Sequence, residues 1–375
     1  MAPPTPLTIP PSPSTVTLSI INTTSHITGI PITTFMHPSI RGHETLNCPA
    51  YSFLITHESS KQRRTILFDL GVRKDWENLA PKIGARIKEQ GWSVSVEKGV
   101  SEILEEGGVG LGGVEAVVWS HYHWDHSGDP STFPPSTALV VGPGFKDAFV
   151  PAYPTKPGCA IHESDYAGRE LREIEFDGDL TIGGFKAFDY FGDGSFYLLD
   201  SPGHAIGHMC GLARTTSNPP TFIFLGGDCA HHGGEFRPSP TLPLPSVISP
   251  SPLPRLHPTV CPGSLFIPIH RLYEPSARAT ATDVPTSQPF FETSATGAHD
   301  VEQCQDSVRK MSAFDGRDDV LVIIAHDAHM LDVVTFFPHG TANAWKAEGW
   351  KEKGAWKFLG DFEEAVKERE EVGRG

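Results

Sequence analysis

Between Trp119 and Asp129 the chain reads WSHYHWDHSGD, which brings His121, His123, Asp125 and His126 within six positions. Three imidazoles and a carboxylate at that density do not follow from packing preference, and they are the donor types that bind divalent metal ions. Histidines two apart on extended backbone point the same way and can grip one cation. The turn that follows redirects Asp125 and His126 toward a second, so the spacing predicts two adjacent metals. A zinc ion takes about four ligands and a catalytic one keeps a position for water, so more donors must come from elsewhere. The candidates are His204 in SPGHAIGH, Asp228 in TFIFLGGDC and His326 in VLVIIAHD, each following or ending an apolar run.

Those runs are the elements that must position the cluster. Val16, Leu18 and Ile20 alternate with Thr17 and Ser19 as in a half-buried strand, and residues 51–57 and 65–68 read as a hairpin that ends at Asp69. Helical spacing is expected from about Asp75 to Gln90 and from Ser101 to Glu106, stopping at Gly91 and Gly107. Short strands follow at 115–119, 138–141, 196–199, 221–225 and 319–325. Strand ends converge on one sheet edge in such architectures, which makes a shared site sterically reasonable. Residues 1–14 are proline-rich and polar and are expected to be a disordered lead-in, with one domain over 15–375. Residues 237–268 carry too much proline for a helix interior or a central strand. They are either a domain linker or an insertion draped over the site, and candidate ligands on both sides favour the insertion.

Composition narrows the partners. Forty-five acidic against thirty basic residues give a formal charge of −15, which repels a phosphate backbone, and the absence of a Lys/Arg run argues against nucleic acid. The N-terminus lacks a basic and an apolar targeting segment, and no run of about 18 apolar residues suggests a membrane span. A soluble, cytoplasmic protein with a small-molecule substrate is expected, its oligomeric state open. The six cysteines form no CxxC pair and are read as reduced thiols. Cys229, beside Asp228, is read as a small buried hydrophobe.

HYHWDH resembles the HxHxDH signature of the metallo-β-lactamase superfamily, and PGHAIGH resembles its PGHTxGH element. FLGGD and IIAHD resemble its later metal-binding strand ends, so four ordered elements span roughly residues 15 to 335. The resemblance implies an α+β fold, a four-layer αβ/βα sandwich, with two Zn2+ per chain. It implies His121, His123 and His204 as ligands of one zinc, Asp125, His126 and His326 as ligands of the other, and Asp228 as the bridge. Asp69 then resembles the supporting acid of the family, and His208 a residue behind the ligands.

Two cations sharing a hydroxide lower the pKa of water enough to supply a nucleophile near neutral pH. Asp125 is read as the residue that orients it and moves its proton. Lactone-opening members often carry tyrosine three residues after the bridging aspartate, where this chain has His231. That residue is read as catalytic, hydrogen-bonding a developing oxyanion or protonating a leaving alkoxide, although a His231–His232 pair in a glycine-rich loop also reads as a solvated turn. Tyr122 and Trp124 are packing residues or pocket walls. The expected function is hydrolysis of a small lactone or lactam, with release of an acyl or polyketide product from a thioester carrier as the alternative. A metal-binding or redox module without hydrolysis is a further class, separated by metal uptake without turnover.

Overall fold

The chain folds through long apolar alternations whose residues find cover on both faces. The computed structural model of the protein describes residues 7–60, 62–273 and 286–373. In the first sheet the strands are β1 (Val16–Pro31), β2 (Thr45–Glu58), β3 (Arg63–Phe68), β4 (Ser93–Val96), β5 (Val114–Val118), β6 (Ala138–Val141) and β7 (Leu171–Glu173). They lie in the order β4-β1-β2-β3-β5-β6-β7. The second sheet contains β8 (Thr181–Ile182), β9 (Phe185–Asp189), β10 (Phe196–Asp200), β11 (Met209–Ser217), β12 (Pro220–Leu225) and β13 (Val320–Ile323), running back from β13 at one edge to β8 at the other.

The two sheets pack face to face. Leu18, Ile20, Phe53, Ile66, Phe68 and Val118 from the first meet Phe196, Leu198, Ile223, Leu225 and Ile323 from the second in one buried cluster. Alternate residues face outward and are covered in turn. Leu67, Val117 and Leu139 pack with Val100 and Leu104 of α2 (Val100–Glu106), the helix that follows α1 (Pro81–Gln90) in the chain. On the far side Leu212, Phe224 and Val322 pack under Val308, Met311 and Phe314 of α3 (Val301–Asp315). Helix, sheet, sheet and helix give the four-layer sandwich that the resemblance implied.

Topology explains why the chemistry gathers where it does. β3 and β5 run parallel, as do β12 and β13, so the carboxyl ends of each pair lie side by side. Asp69 and His121 follow the first pair; Asp228 and His326 follow the second. In open α/β sheets such ends are where ligands bind.

Three expectations need correction. Residues 7–14 are not disordered: Leu7 and Ile9 pack on the second sheet, and the Arg214 guanidinium donates to Pro10 O. Proline there excludes helix without excluding an extended strap; residues 1–6 lie outside the described residues. Helix α1 starts only at Pro81, its first-turn proline, because 76–78 form a separate 3-10 turn; it ends at Gly91, whose φ of 67° suits glycine. Finally, residues 237–268 do not drape over the cluster. Ile248, Leu253, Cys261 and Phe266 are buried against Phe358, Leu359 and Phe362 near the C-terminus. That segment buries its own apolar residues, which gives it a packed seat on 358–366.

Candidate metal centre

His121, His123, Asp125, His126, His204, Asp228 and His326 all come together, although they span more than two hundred positions of sequence. They divide into two groups that share Asp228: His121, His123 and His204 in one, Asp125, His126 and His326 in the other. Within the first, His123 Nδ1 lies 2.8 Å from His121 Nε2 and 3.0 Å from His204 Nε2. The Asp228 carboxylate divides between the groups. Its Oδ1 is 3.0 Å from His126 Nε2 and 3.1 Å from His326 Nε2, while its Oδ2 is 3.4 Å from His204 Nε2 and 3.7 Å from His121 Nε2. Asp125 Oδ2 is 3.4 Å from His326 Nε2.

These atoms fit two cations better than they fit one another. Imidazole nitrogens whose lone pairs converge repel unless a cation or proton sits among them. Asp228 Oδ1 and His126 Nε2 are buried and lack a partner with hydrogen-bond geometry, despite their short separation. Unsatisfied buried polar atoms are costly, and a shared metal ion would satisfy all of those aimed at it. Burial, more than any neighbour, holds the His121 and His204 rings well below the usual histidine range and His123 at about 4, so these rings are neutral with lone pairs free to coordinate. His126 goes the other way: burial opposes its protonation, but the Asp228 and Asp69 carboxylates outweigh burial.

Local structure aims each donor. The ends of β5 and β12 are held by residues behind the candidate ligands. Asp69 accepts from the Ser120 N–H at 2.6 Å and from Ser120 Oγ at 2.8 Å. His208 Nδ1 lies 3.0 Å from Ser201 O, and its Nε2 accepts the Asp228 N–H at 3.0 Å. The turn that presents Asp228 needs Gly227, whose φ is 50° and whose missing Cβ would stand 2.9 Å from His208 Nε2. His326 Nδ1 donates to Pro49 O at 2.7 Å, which fixes Nε2 toward the centre.

His231 and His232 are not in a solvated turn: they are 6% and 5% exposed. Glu235 anchors the loop by accepting both of their backbone N–H groups, at 2.6 and 3.1 Å. The His231 ring stacks on Phe35, with centroids 3.7 Å apart, and its Nε2 reaches to 3.2 Å from Asp228 Oδ2. Glycine content had suggested exposure; the apolar cover comes from Phe35, far away in sequence and without a recognisable motif. Cys229 is buried, and its hydrogen bond with Cys210, together with burial, holds the thiol well above its usual range. That environment makes it a neutral packing residue.

A cavity of about 230 Å³ opens beside His123, Asp125, His204 and Asp228. Phe35, Trp92, Tyr122 and Trp124 line it, so the two aromatic residues of the HYHWDH run are both packed and wall-forming. Residues 296–299 close another side, and no sequence motif had marked them. A larger cavity of about 420 Å³ bounded by Leu70, Arg73 and Phe133 shares no residue with either histidine group. Its Arg73 is already paired with Asp75 and Asp129, so of these two cavities the smaller is joined to the chemistry. Among the described residues no helix is long and apolar enough to cross a membrane.

Comparison with known proteins identifies the family. The family model described as the metallo-beta-lactamase superfamily matches residues 46–214, which include the first four candidate ligands and His204. Gamma-lactamase FDB1 of Fusarium pseudograminearum is 48% identical over 365 residues, 96% of this chain and 85% of that protein. Gamma-lactamase MBL2 of Gibberella moniliformis is 51% identical over 250 residues, 66% of this chain and the whole of that protein. Among solved structures, an N-acyl homoserine lactone hydrolase with the product N-hexanoyl-L-homoserine at its catalytic metal centre superposes with a TM-score of 0.54. That likeness covers 88% of this chain and all of the other at 15% identity, and so concerns the fold. The chain belongs to the metallo-beta-lactamase superfamily and is a hydrolase of that fold.

Proposed function

We propose that the protein opens a small cyclic amide, a γ-lactam, with the corresponding lactone as the next substrate, and that it does so with two zinc ions. The carrying observation is the division of one carboxylate: Asp228 turns Oδ1 to His126 and His326 and Oδ2 to His121 and His204. Two relatives at about half identity that bear the name gamma-lactamase support the lactam over the lactone. The aromatic walls and the volume of about 230 Å³ suit a small ring.

In this reading His121, His123 and His204 hold one ion, Asp125, His126 and His326 the other, and Asp228 both. When bound, such a pair supplies Lewis acidity and a nucleophilic water near neutral pH. Asp125, more open than its neighbours at 14% side-chain exposure, takes the proton of the attacking water and returns it to the ring nitrogen as the C–N bond breaks. Proton return matters more for a lactam than for a lactone, because an amide anion is the poorer leaving group. His231 Nε2, 3.2 Å from Asp228 Oδ2, donates to the developing oxyanion.

The test is ring opening by zinc-loaded protein across γ-lactams, γ-lactones and acyl thioesters, with and without chelator. Chelator-sensitive lactam opening is expected. Turnover of thioesters alone would move the assignment to release of an acyl group from a carrier.

A further inference from the structure

One layer behind the candidate centre lies a second group of ionisable side chains: His43, His232, His329 and Asp361. They line a cavity of about 210 Å³ together with His231 and His326. Asp361 comes from a 3-10 segment near the C-terminus, Lys357–Phe362, whereas His232 and His329 lie on the loops that follow β12 and β13. Each Asp361 oxygen has its own partner: His232 Nε2 stands 3.2 Å from Oδ2, and His329 Nε2 stands 3.2 Å from Oδ1. His43 Nδ1 stands 3.6 Å from Oδ2, beyond hydrogen-bond reach.

The position of the partners matters more than their number. His232 adjoins His231 and lies four residues beyond Asp228. The His329 backbone N–H donates to Asp327 Oδ1 at 3.0 Å, and Asp327 adjoins His326. The carbonyl of Asp327 is itself held by Tyr51 Oη at 2.7 Å. One carboxylate thus joins the loop that carries Asp228 and His231 to the loop that carries His326.

A third cation does not suit the group. The Gly234 N–H donates to His232 Nδ1 at 3.1 Å, so that nitrogen is unprotonated and a neutral ring carries its proton on Nε2, the atom facing Asp361. A metal ligand normally has the opposite arrangement, coordinating through one nitrogen and donating from the other. His329, in contrast, faces Asp327 and Asp361. Burial works against its charge, but hydrogen bonds to both carboxylates raise its pKa to about 10, so it is an imidazolium between two anions.

We propose that Asp361 is a positioning residue for the metal centre: by accepting from His232 and His329 it locks together the two loops that present Asp228 and His326. The inference rests on the metal-dependent reading above but does not require the substrate to be a lactam. Replacing the carboxylate by an amide keeps the shape while turning an N–H donor toward one of two histidines that already donate.

The experiment compares zinc retention by wild type, Asp361→Asn, Asp361→Glu and His329→Gln during dialysis against graded chelator, with thermal melting recorded alongside. About a tenfold weaker hold on one of the two ions is expected in Asp361→Asn and His329→Gln, with partial recovery in Asp361→Glu. Lowered melting temperature with unchanged zinc retention in both disruptive variants would make Asp361 a mere structural residue and overturn the proposal. Three tightly held ions per wild-type chain would overturn it too. If zinc retention shifts as expected while the wild type opens no lactam, the substrate reading fails and the positioning role stands; the reverse pattern has the opposite meaning.

Discussion

Asp69 Oδ2 lies 3.0 Å from His126 Nδ1, and Asp69 holds that position with a left-handed backbone, φ 61°. A non-glycine residue rarely adopts this conformation, which is stored strain of the order of 1–3 kcal/mol and persists when surroundings determine it. Here they do, because both carboxylate oxygens are engaged by Ser120 and His126. The contact fixes the His126 ring so that Nε2 faces Asp228. Asp69→Asn should therefore weaken metal binding by roughly tenfold to a hundredfold, the range for residues that orient metal-binding histidines. Zinc titration checks this, and unchanged affinity would remove Asp69 from the site's machinery.

His123 contributes to the first histidine group and, through the turn that begins beside it, leaves the second intact. Substituting it by alanine should leave about one zinc per chain and reduce turnover by orders of magnitude, measured by elemental analysis and rate on the same sample. Full occupancy with full activity would contradict the assignment of ligands. Complete chelation should also lower the melting temperature, since converging buried nitrogens and carboxylate oxygens are then left without a counter-charge.

The HYHWDH run was legible because its donors are adjacent and follow one strand, and His204, Asp228 and His326 because each stands at the end of an apolar run. The parallel pairing that brings those ends together is a tertiary property, yet alternation within each strand already fixed which faces were buried. Phe35, Asp361 and residues 296–299 were not legible. Each acts through a contact with a residue more than a hundred positions away or through a cavity wall, and no local period records such contacts. The strap at 7–14 was misread for a related reason: its partners Arg214 and Arg317 are distant, and they satisfy carbonyls that local sequence alone leaves to water.

His231→Ala separates chemistry from metal binding. If Nε2 donates to the oxyanion, kcat falls by about a hundredfold or more with zinc content unchanged. Cys229→Ser, one residue from Asp228, should stay within a few-fold of wild type, because the thiol is buried, protonated and hydrogen-bonded with Cys210. Equal rates for wild type and His231→Ala would reduce the ring to packing against Phe35.

Arg237 and Asp315 test the fold independently of the site. Their side chains are 5% and 1% exposed and meet in two hydrogen bonds of 2.7 Å, Nε to Oδ2 and Nη2 to Oδ1. Asp315→Ala leaves a guanidinium buried without its counter-charge, retaining the Ala355 carbonyl as an acceptor. Loss of about 3–5 kcal/mol is expected from chemical denaturation, the range for breaking one side of a buried pair. Replacing both residues with apolar ones of similar volume should cost far less.

His329 has a folded-state pKa of about 10 against an unfolded value of about 6.5, because Asp327 and Asp361 outweigh its burial. The native state therefore binds the proton more tightly, and the stabilisation is fully present below about pH 6.5. It declines as pH rises from there toward 10, where the native imidazolium itself loses its proton. Stability of the wild type relative to His329→Gln should fall across that interval, by a few kcal/mol at most given that the ring is 19% exposed. Denaturation at pH 6, 8 and 10 measures it. A constant difference over that interval would mean that His329 is neutral in the fold, and that the clasp between Asp327 and Asp361 is an ordinary hydrogen bond without charge.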